Sequence, residues 1–133
     1  MTHITTEGPN GLYLVTITLT KDGQNILDTL AKFISREFNI TEEDLKSESR
    51  YAPLPRARGA FTSILRSKFD FPLKMIGTYL GGRDHSTILM AEQRAKEYYV
   101  KSDKYRLQYD MVEKAFIKLV YANGLEAKGI NKL

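Results

Sequence analysis

The stretch that decides the fold spans residues 73–91 and reads LKMIGTYLGGRDHSTILMA. Apolar residues spaced three and four apart predict a short helix that ends near Leu80. The pair Gly81-Gly82 then breaks the chain, and a second helix is predicted from about Asp84. A tight glycine turn between two helices is typical of a helix-turn-helix, whose second helix enters the major groove of DNA by its N-terminal residues.

The start of this second helix is polar, because Asp84, His85, Ser86 and Thr87 all precede its first buried position, Ile88. An Asp can accept a hydrogen bond from cytosine, a Ser or Thr hydroxyl can pair with a donor or an acceptor, and a Thr or His carbon can contact the thymine methyl group. These four side chains are therefore predicted to face DNA bases. Two plainer roles stay open: Asp84 as the helix N-cap, and His85 as an ordinary surface histidine.

The residues around the turn are predicted to bind the DNA backbone. The helix N-terminus that follows Gly81 and Gly82 offers free N–H groups and the positive end of a dipole to a phosphate. Arg83, Lys74 and Arg66 are available for further phosphates. Such contacts would hold the register while the helix start carries the sequence information.

The composition is that of one ordinary globular domain. The chain has 133 residues, of which 42% are hydrophobic and 27% charged, values that differ from those of disordered chains. The absence of cysteine excludes disulfide scaffolds and cysteine-based zinc sites. No apolar run approaches the ~20 residues needed to span a bilayer, and the N-terminus lacks the basic and apolar regions of a secretory signal.

Charge is distributed unevenly along the chain. Residues 49–106 hold twelve Lys and Arg against five Asp and Glu, a net charge of +7, whereas residues 1–48 carry −4. A basic middle segment is the electrostatic footprint of a polyanion binder. Many solvated helices are equally basic, so the charge supports a DNA-binding interpretation without deciding it.

The remaining pattern predicts a mainly α bundle of about six helices, with the helix-turn-helix pair at Leu73–Leu80 and Asp84–Tyr99. Residues 41–44, TEED, predict a capping box that opens a short second helix, and residues 51–55, YAPLP, predict a loop before the third. The predicted inward-facing residues are Leu27, Leu30, Ile34, Phe38, Ala60, Phe61, Ile64, Leu65, Phe69, Leu73, Ile76, Leu80, Ile88, Ala91, Ala95, Tyr98 or Tyr99, Val112, Phe116, Leu119 and Val120. The last helix is expected to span roughly residues 103–123, with Gly124 as its C-cap.

Residues 1–24 are predicted to be extended. Val15, Ile17 and Leu19 alternate with threonines, and residues 8–11, GPNG, form a turn sequence, which together suggest a short β-hairpin. An isolated hairpin is only marginally stable, so it must pack on the helices or pair with another chain. The chain is thus divided into an extended segment (1–24), a helix-turn-helix domain (25–101) and an additional C-terminal helix and tail (102–133).

Residues 73–91 resemble the signature of the C-terminal DNA-binding domain (domain IV) of the bacterial replication initiator DnaA. That family carries a helix of the form Leu-x-x-Ile-Gly-x-x-Phe, followed by Gly-Gly-Arg-Asp-His-[Ser/Thr]-Thr-Val-[Leu/Ile]-x-Ala. The similarity extends without a gap over roughly residues 25–101. The resemblance implies a DnaA domain-IV or Trp-repressor-like bundle, in which Asp84, His85 and Ser86 face bases in the major groove. It also implies a short, asymmetric, DnaA-box-like target that is bound from both grooves.

The resemblance adds two candidate DNA contacts in residues 55–59, which fall on the family's basic loop and the start of its next helix. Arg56 matches an arginine that some members insert into the minor groove, where a narrow A·T-rich tract has an enhanced negative potential. Arg58 matches the arginine of the family's common Arg-Gln pair. The plainer interpretation of both is a solvated loop arginine. The chain departs from the family at Gly59, which replaces the Gln and lowers helix propensity by ~1 kcal/mol, and at residues 51–53, where the family is richer in Lys and Arg.

Sequence-preferring binding of double-stranded DNA is the predicted function, in replication initiation or its regulation. The chain begins at Met1 and contains no Gly-x-x-x-x-Gly-Lys-[Ser/Thr] phosphate loop, which predicts a stand-alone small protein, located in the cytoplasm at the nucleoid. No enzyme activity, cofactor, metal or membrane is predicted. Candidate partners are replication proteins and further copies of the chain, bound through the N-terminal strand or the C-terminal helix.

The alternative functions are a protein-interaction module that has lost box recognition and a Trp-repressor-like transcriptional regulator. Tyr98, Tyr99, Tyr105 and Tyr109 are predicted to serve packing rather than base stacking.

Overall fold

The computed structural model describes residues 2–8, 11–17 and 24–122. Its elements are β1 (Thr2–Gly8), β2 (Gly11–Ile17), α1 (Gln24–Phe38), α2 (Glu42–Lys46), α3 (Leu54–Lys68), α4 (Leu73–Tyr79), α5 (His85–Lys101) and α6 (Asp103–Ala122). The prediction of a mainly α bundle is confirmed by the six helices of the described part. The C-cap predicted at Gly124 lies outside the described residues.

The two strands pair as an antiparallel hairpin at the N-terminus. Their register places Thr2 opposite Ile17 and Gly8 opposite Gly11. This is the hairpin that the alternation of Val15, Ile17 and Leu19 with threonines predicts, although Leu19 lies outside the described residues. Strand β1 lies beside α6. The hairpin therefore packs on the helices, as an isolated two-stranded sheet must to be stable.

Helices α1, α3 and α6 enclose the hydrophobic core. Phe116 of α6 lies between Phe33 of α1 and Phe69, which follows α3, with ring centroids 6.1 and 5.6 Å apart in edge-to-face arrangements. Nearly all the apolar residues predicted to face inward are buried. The exceptions are Leu73, Ala91, Tyr98 and Tyr99, which are half-buried.

Short helix α2 begins with the predicted capping box. The hydroxyl of Thr41 accepts from the Asp44 N–H at 2.9 Å, and the Asp44 carboxylate accepts in return from the Thr41 N–H at 3.3 Å. The shorter Asp therefore replaces the usual Glu at the third helical position without loss of either bond. Asp44 also accepts a hydrogen bond from the Tyr51 hydroxyl at 3.1 Å, which fastens the linker that follows.

The prediction of a loop through residues 51–55 is partly wrong, because α3 already begins at Leu54. Pro55 is its second residue, a position where the missing N–H leaves no helical bond unmade. As a consequence Arg56 and Arg58 lie on a helix and not on a loop. Gly59, the departure from the DnaA pattern, has a packing reason: an added Cβ would lie only 3.0 Å from the Ala91 carbonyl oxygen of α5.

The junction of α4 and α5 is held by one carbonyl group. The Gly77 carbonyl oxygen accepts from the N–H groups of both Gly82 and Arg83, each at 2.9 Å. Gly77 itself has no room for a side chain, because a Cβ would lie 2.1 Å from the Arg83 carbonyl oxygen. Gly81 and Gly82 turn the backbone with φ angles of 90° and 85°, which glycine adopts far more readily than other residues.

We predict that Gly77→Ala destabilises the protein by about 2 kcal/mol or more, because the new methyl group would force the Arg83 backbone out of its turn. Urea denaturation of the purified variant measures this loss. Thr78→Ala is the control. The side chain of Thr78, next to Gly77 in the chain, is exposed, so the free energy of unfolding should stay within about 0.5 kcal/mol of wild type. Equal stability of the two variants would contradict the steric argument.

Candidate nucleic-acid interface

The N-terminus of α5 presents a short row of exposed polar side chains. His85, Ser86 and Thr87 are exposed, whereas Ile88 is fully buried. Ile88 and Ala95 are the buried residues of this helix, so most of its length faces outward. The polar start that the sequence predicts is therefore accessible to a ligand as large as a DNA duplex.

Asp84 is the N-cap of α5. Its Oδ1 accepts from the Thr87 N–H at 2.9 Å, and its backbone is extended, as an N-cap requires. This backbone hydrogen bond is the main reason why the pKa of Asp84 is lowered from its usual value. The capping role, left open by the sequence, is thus confirmed, and the second carboxylate oxygen stays exposed beside His85.

The turn and the start of α5 line an open groove of about 580 Å³, here called the turn groove. Six of the ten predicted DNA-binding residues meet in it, together with Thr78. These six are Lys74, Gly82, Arg83, Asp84, His85 and Ser86. Lys74 is exposed at its rim. The structure thus brings two cations, a helix N-terminus and three polar side chains onto one surface.

A second groove, of about 620 Å³, lies on the other side of the turn and is here called the arginine groove. The linker after α2, the start of α3, the turn and the outer face of α5 line it. It includes the predicted residues Gly81, Thr87 and Arg58. It also includes Arg50 and Arg94, which the sequence analysis missed. The helical period would have shown Arg94, seven residues after Thr87 and on the same face.

Arg58 is buried, with only 6% of its surface exposed. Its Nε donates to the Leu45 carbonyl at 2.9 Å, its Nη1 to Ser49 at 2.7 Å, and its Nη2 to Asp44 and Ser47 at 2.9 and 2.7 Å. Burial, with Arg83 and Arg50 nearby, lowers its pKa to about 10.

The expectation that Arg58 contacts DNA does not fit this geometry, because four of its five N–H groups are bound to backbone carbonyls. Three of these carbonyls belong to the C-terminal end of α2, where the last carbonyls of a helix lack the N–H groups of a following turn; the Asp44 carbonyl also accepts from the Ser47 N–H. Arg58 therefore fastens the C-terminus of α2 and the following linker to α3.

Arg83 is half-buried and also holds the backbone. Its Nη2 donates to the Ser47 carbonyl at 2.6 Å, and its Nη1 donates to the Leu80 carbonyl. Burial lowers its pKa, and the neighbouring Arg50 lowers it further. As a DNA contact Arg83 stays a prediction. Arg66 is less available than expected, since its Nε lies 3.7 Å from a Glu92 carboxylate oxygen.

Arg56 lies apart from both grooves. Its side chain is exposed, and its guanidinium carbon is 5.0 Å from the ring centroid of Tyr98, near the C-terminal end of α5. The two arginines of the Pro55–Gly59 segment thus have different environments. Arg56 stacks on a tyrosine at the surface, whereas Arg58 is buried and hydrogen-bonded to backbone carbonyls at the end of α2 and in the linker that follows.

The described part of the chain has neither a candidate metal site nor a candidate membrane span. Within those residues there is no group of three or more His, Cys, Asp or Glu side chains that could hold a metal ion. None of the described helices is both long and apolar enough to cross a membrane.

The region that contains the turn and the start of α5 is similar in sequence to a known family. The family model for the bacterial DnaA protein helix-turn-helix matches residues 27–94, just over half of the chain, and the match includes α3, α4 and the exposed start of α5. The chain belongs to the bacterial DnaA helix-turn-helix family. The prediction drawn from residues 73–91 is thereby confirmed at the level of the family.

Full-length relatives show the same relationship. The chromosomal replication initiator protein DnaA of Chlorobaculum tepidum is 31% identical over 91 residues, which are 68% of this chain and 18% of the relative. That of Streptococcus thermophilus is 28% identical over 87 residues, 65% of this chain and 19% of the relative. The chain therefore matches less than a fifth of the length of these initiators.

The contrast between Arg56 and Arg58 gives a stability prediction. Arg58→Ala should lower the free energy of unfolding by about 2 kcal/mol or more, because it removes a buried side chain and leaves the carbonyls of Leu45 and Ser49 without their donor. Arg56→Ala, the matched control on the same helix, should cost less than about 1 kcal/mol, the usual contribution of an exposed cation–π contact. Urea denaturation of both variants tests the assignment, and a stable Arg58→Ala protein would contradict it.

The cap of α5 gives a pH prediction. Because the pKa of Asp84 is lowered in the folded protein, its contribution to stability is complete above the unfolded pKa of about 4 and is lost as the pH falls from there through the lower folded pKa. Asp84→Asn keeps the cap without a titrating group, so its urea midpoint should fall less on acidification than that of wild type. Asp70→Asn, which removes an exposed carboxylate outside the helix caps, should follow the wild-type profile. Parallel profiles for all three proteins would contradict the prediction.

Proposed function

We propose that this protein binds double-stranded DNA with sequence preference, with the N-terminus of α5 in the major groove of a DnaA-box-like site. His85 and Ser86 read base edges in this proposal, and Thr87 contacts an edge or a methyl group at the rim. The observation that carries it is the exposure of these side chains at the start of a capped helix, next to a turn that two hydrogen bonds to one carbonyl make rigid.

The residues at the turn fall into two groups, those with internal hydrogen bonds and those without, and this supports the proposal. Asp84 caps the helix and Arg83 holds the C-terminus of α2, whereas His85 and Ser86 have no hydrogen bond or ion pair within the described part of the chain. Side chains without an internal partner are free to bind a ligand. A reading residue on a rigid element also loses less conformational entropy when it binds.

The basic side chains around α5 are placed for phosphates. Lys74 stands at the rim of the turn groove, and Arg50 and Arg94 line the arginine groove on the opposite side of the turn. Basic side chains on both sides of a helix inserted in the major groove would meet the two phosphate backbones that flank it. In this proposal Arg83 adds a contact with its remaining N–H groups.

The biological role follows from the relatives, whose names describe chromosomal replication initiators. We place the chain in replication initiation or its regulation, as a box-binding protein at the nucleoid. The 133 residues contain no P-loop sequence, so the proposal assigns them DNA binding and no ATP-dependent step.

Selection from a random duplex library with the purified protein tests the proposal. We expect one enriched short, asymmetric sequence, and fluorescence anisotropy should show that it binds more tightly than a scrambled duplex. The affinity should fall steeply with salt, because each phosphate contact releases counterions. Equal affinity for selected and scrambled duplexes would overturn sequence preference, and binding that does not depend on salt would overturn DNA binding altogether.

Single variants then separate reading from backbone contacts. His85→Ala and Ser86→Ala should reduce discrimination between the two duplexes, by about 1–3 kcal/mol for a bidentate contact and less for a single one. Lys74→Ala should weaken binding to both duplexes alike. It should also reduce the slope of log affinity against log salt concentration by about one. Lys114→Ala, which removes an equal charge from the exposed face of α6, is the control and should change neither quantity.

A further inference from the structure

Arg56 is an exposed cation whose side chain has an aromatic contact and no hydrogen-bond or ion-pair partner in the described part of the chain. Its guanidinium lies over the ring of Tyr98 with 5.0 Å between the guanidinium carbon and the ring centroid. Stacking on a ring uses the flat face of the guanidinium and leaves its N–H edges free. These edges are therefore available to hydrogen-bond acceptors outside the protein.

The ring that carries Arg56 is itself fixed from α6. The rings of Tyr98 and Tyr105 pack with centroids 5.4 Å apart, and Tyr105 is buried, with 1% of its surface exposed. The Tyr105 hydroxyl also donates a hydrogen bond to the Arg56 carbonyl oxygen at 3.0 Å. Side chain and backbone of Arg56 are thus both held by one tyrosine pair, of which one member comes from α5 and the other from α6.

The position along α5 matches the spacing of the DNA grooves. Tyr98 follows His85 by thirteen residues, which at 1.5 Å per residue is about 20 Å along the helix. On one face of a duplex the minor groove lies half a helical repeat from the major groove, which is about 17 Å. The separation between Tyr98 and His85 is therefore comparable to the separation of neighbouring grooves, as a contact in the minor groove beside the base site requires.

We propose that Tyr98 and Tyr105 are positioning residues that hold Arg56 ready to enter the minor groove adjacent to the site read by α5. This inference rests on the proposed DNA-binding function and deepens it. Tyr105 lies in α6, beyond the residues that the family model matches, and Tyr98 also lies outside that match. The tyrosine pair would thus make the C-terminal helix part of the DNA-binding apparatus, although α6 need not touch DNA itself.

The physical effect is preorganisation. A free arginine side chain samples many rotamers and loses that freedom when it binds, whereas a stacked guanidinium has lost part of it beforehand. Loss of the ring should therefore lower DNA affinity by about two- to five-fold, the equivalent of an exposed cation–π contact. The loss should be confined to contacts in the minor groove.

The test uses the full chain and two duplexes. One is the duplex recovered by selection, and in the other the adenines of its A·T tract are replaced by 2,6-diaminopurine. This base adds an amino group in the minor groove and keeps the adenine pattern in the major groove. Wild type should bind the substituted duplex more weakly, and Arg56→Ala should bind both duplexes about equally.

Tyr98→Leu should lower affinity for the unmodified duplex and reduce the ratio between the two duplexes toward that of Arg56→Ala. Tyr98→Phe keeps the ring and should keep the wild-type ratio. In the Arg56→Ala background, Tyr98→Leu should change the affinity little, since the two side chains act as one unit. Tyr105→Phe removes only a hydroxyl and should reduce the ratio in the same direction. It is the second variant to measure if Tyr98→Leu does not fold.

The outcomes separate this inference from the proposed function. A wild-type protein that does not prefer the selected duplex over a scrambled one overturns both. Wild-type preference for the selected duplex without sensitivity to diaminopurine overturns the minor-groove placement alone. A Tyr98→Leu protein that folds and keeps the wild-type ratio, or that loses equal affinity with and without Arg56, overturns the positioning role.

Discussion

The carbonyl oxygen of Ser47 accepts hydrogen bonds from two arginines, Arg58 at 2.7 Å and Arg83 at 2.6 Å, and so joins three parts of the molecule. Arg58 comes from α3, Arg83 comes from the turn, and the carbonyl belongs to the C-terminus of α2. A short helix has unbonded carbonyls at its last turn, and two guanidinium groups supply the donors. This junction fastens the turn to α2 and α3, in addition to the direct packing of α5 on α3 at Gly59 and Ala91, so the start of α5 has a fixed position.

Rigidity at the turn also explains how the polar residues of one motif divide into two groups. Arg83 and Asp84 have internal partners and maintain the turn and the cap, whereas His85 and Ser86 are exposed. A motif of adjacent residues therefore contains both a scaffold and a surface for a ligand. Because helix N-caps and base contacts favour the same polar residue types, composition does not separate the two roles.

Arg56 and Arg58 show where sequence reasoning reaches its limit. Two residues apart on a helix, they point about 200° away from each other, so one faces the protein and the other faces solvent. Placing residues 51–55 in a loop concealed this relationship, since a loop has no fixed periodicity. A helix start at Leu54, with Pro55 in its first turn, would have predicted that the two side chains separate, although not which one is buried.

The sequence alone determined the helix-turn-helix, the capping box at Thr41, most of the core and the family, because these depend on local propensity, short-range spacing and a continuous motif. It also placed the exposed polar start of α5, since the apolar stripe begins only at Ile88. The tertiary structure decided which arginines are buried and which are exposed, and it placed the tyrosine pair beside Arg56. It also explains why no side chain fits at Gly59 and Gly77. These depend on contacts between residues distant in the chain, such as the 49 positions between Arg56 and Tyr105, and no local pattern records which helices approach each other.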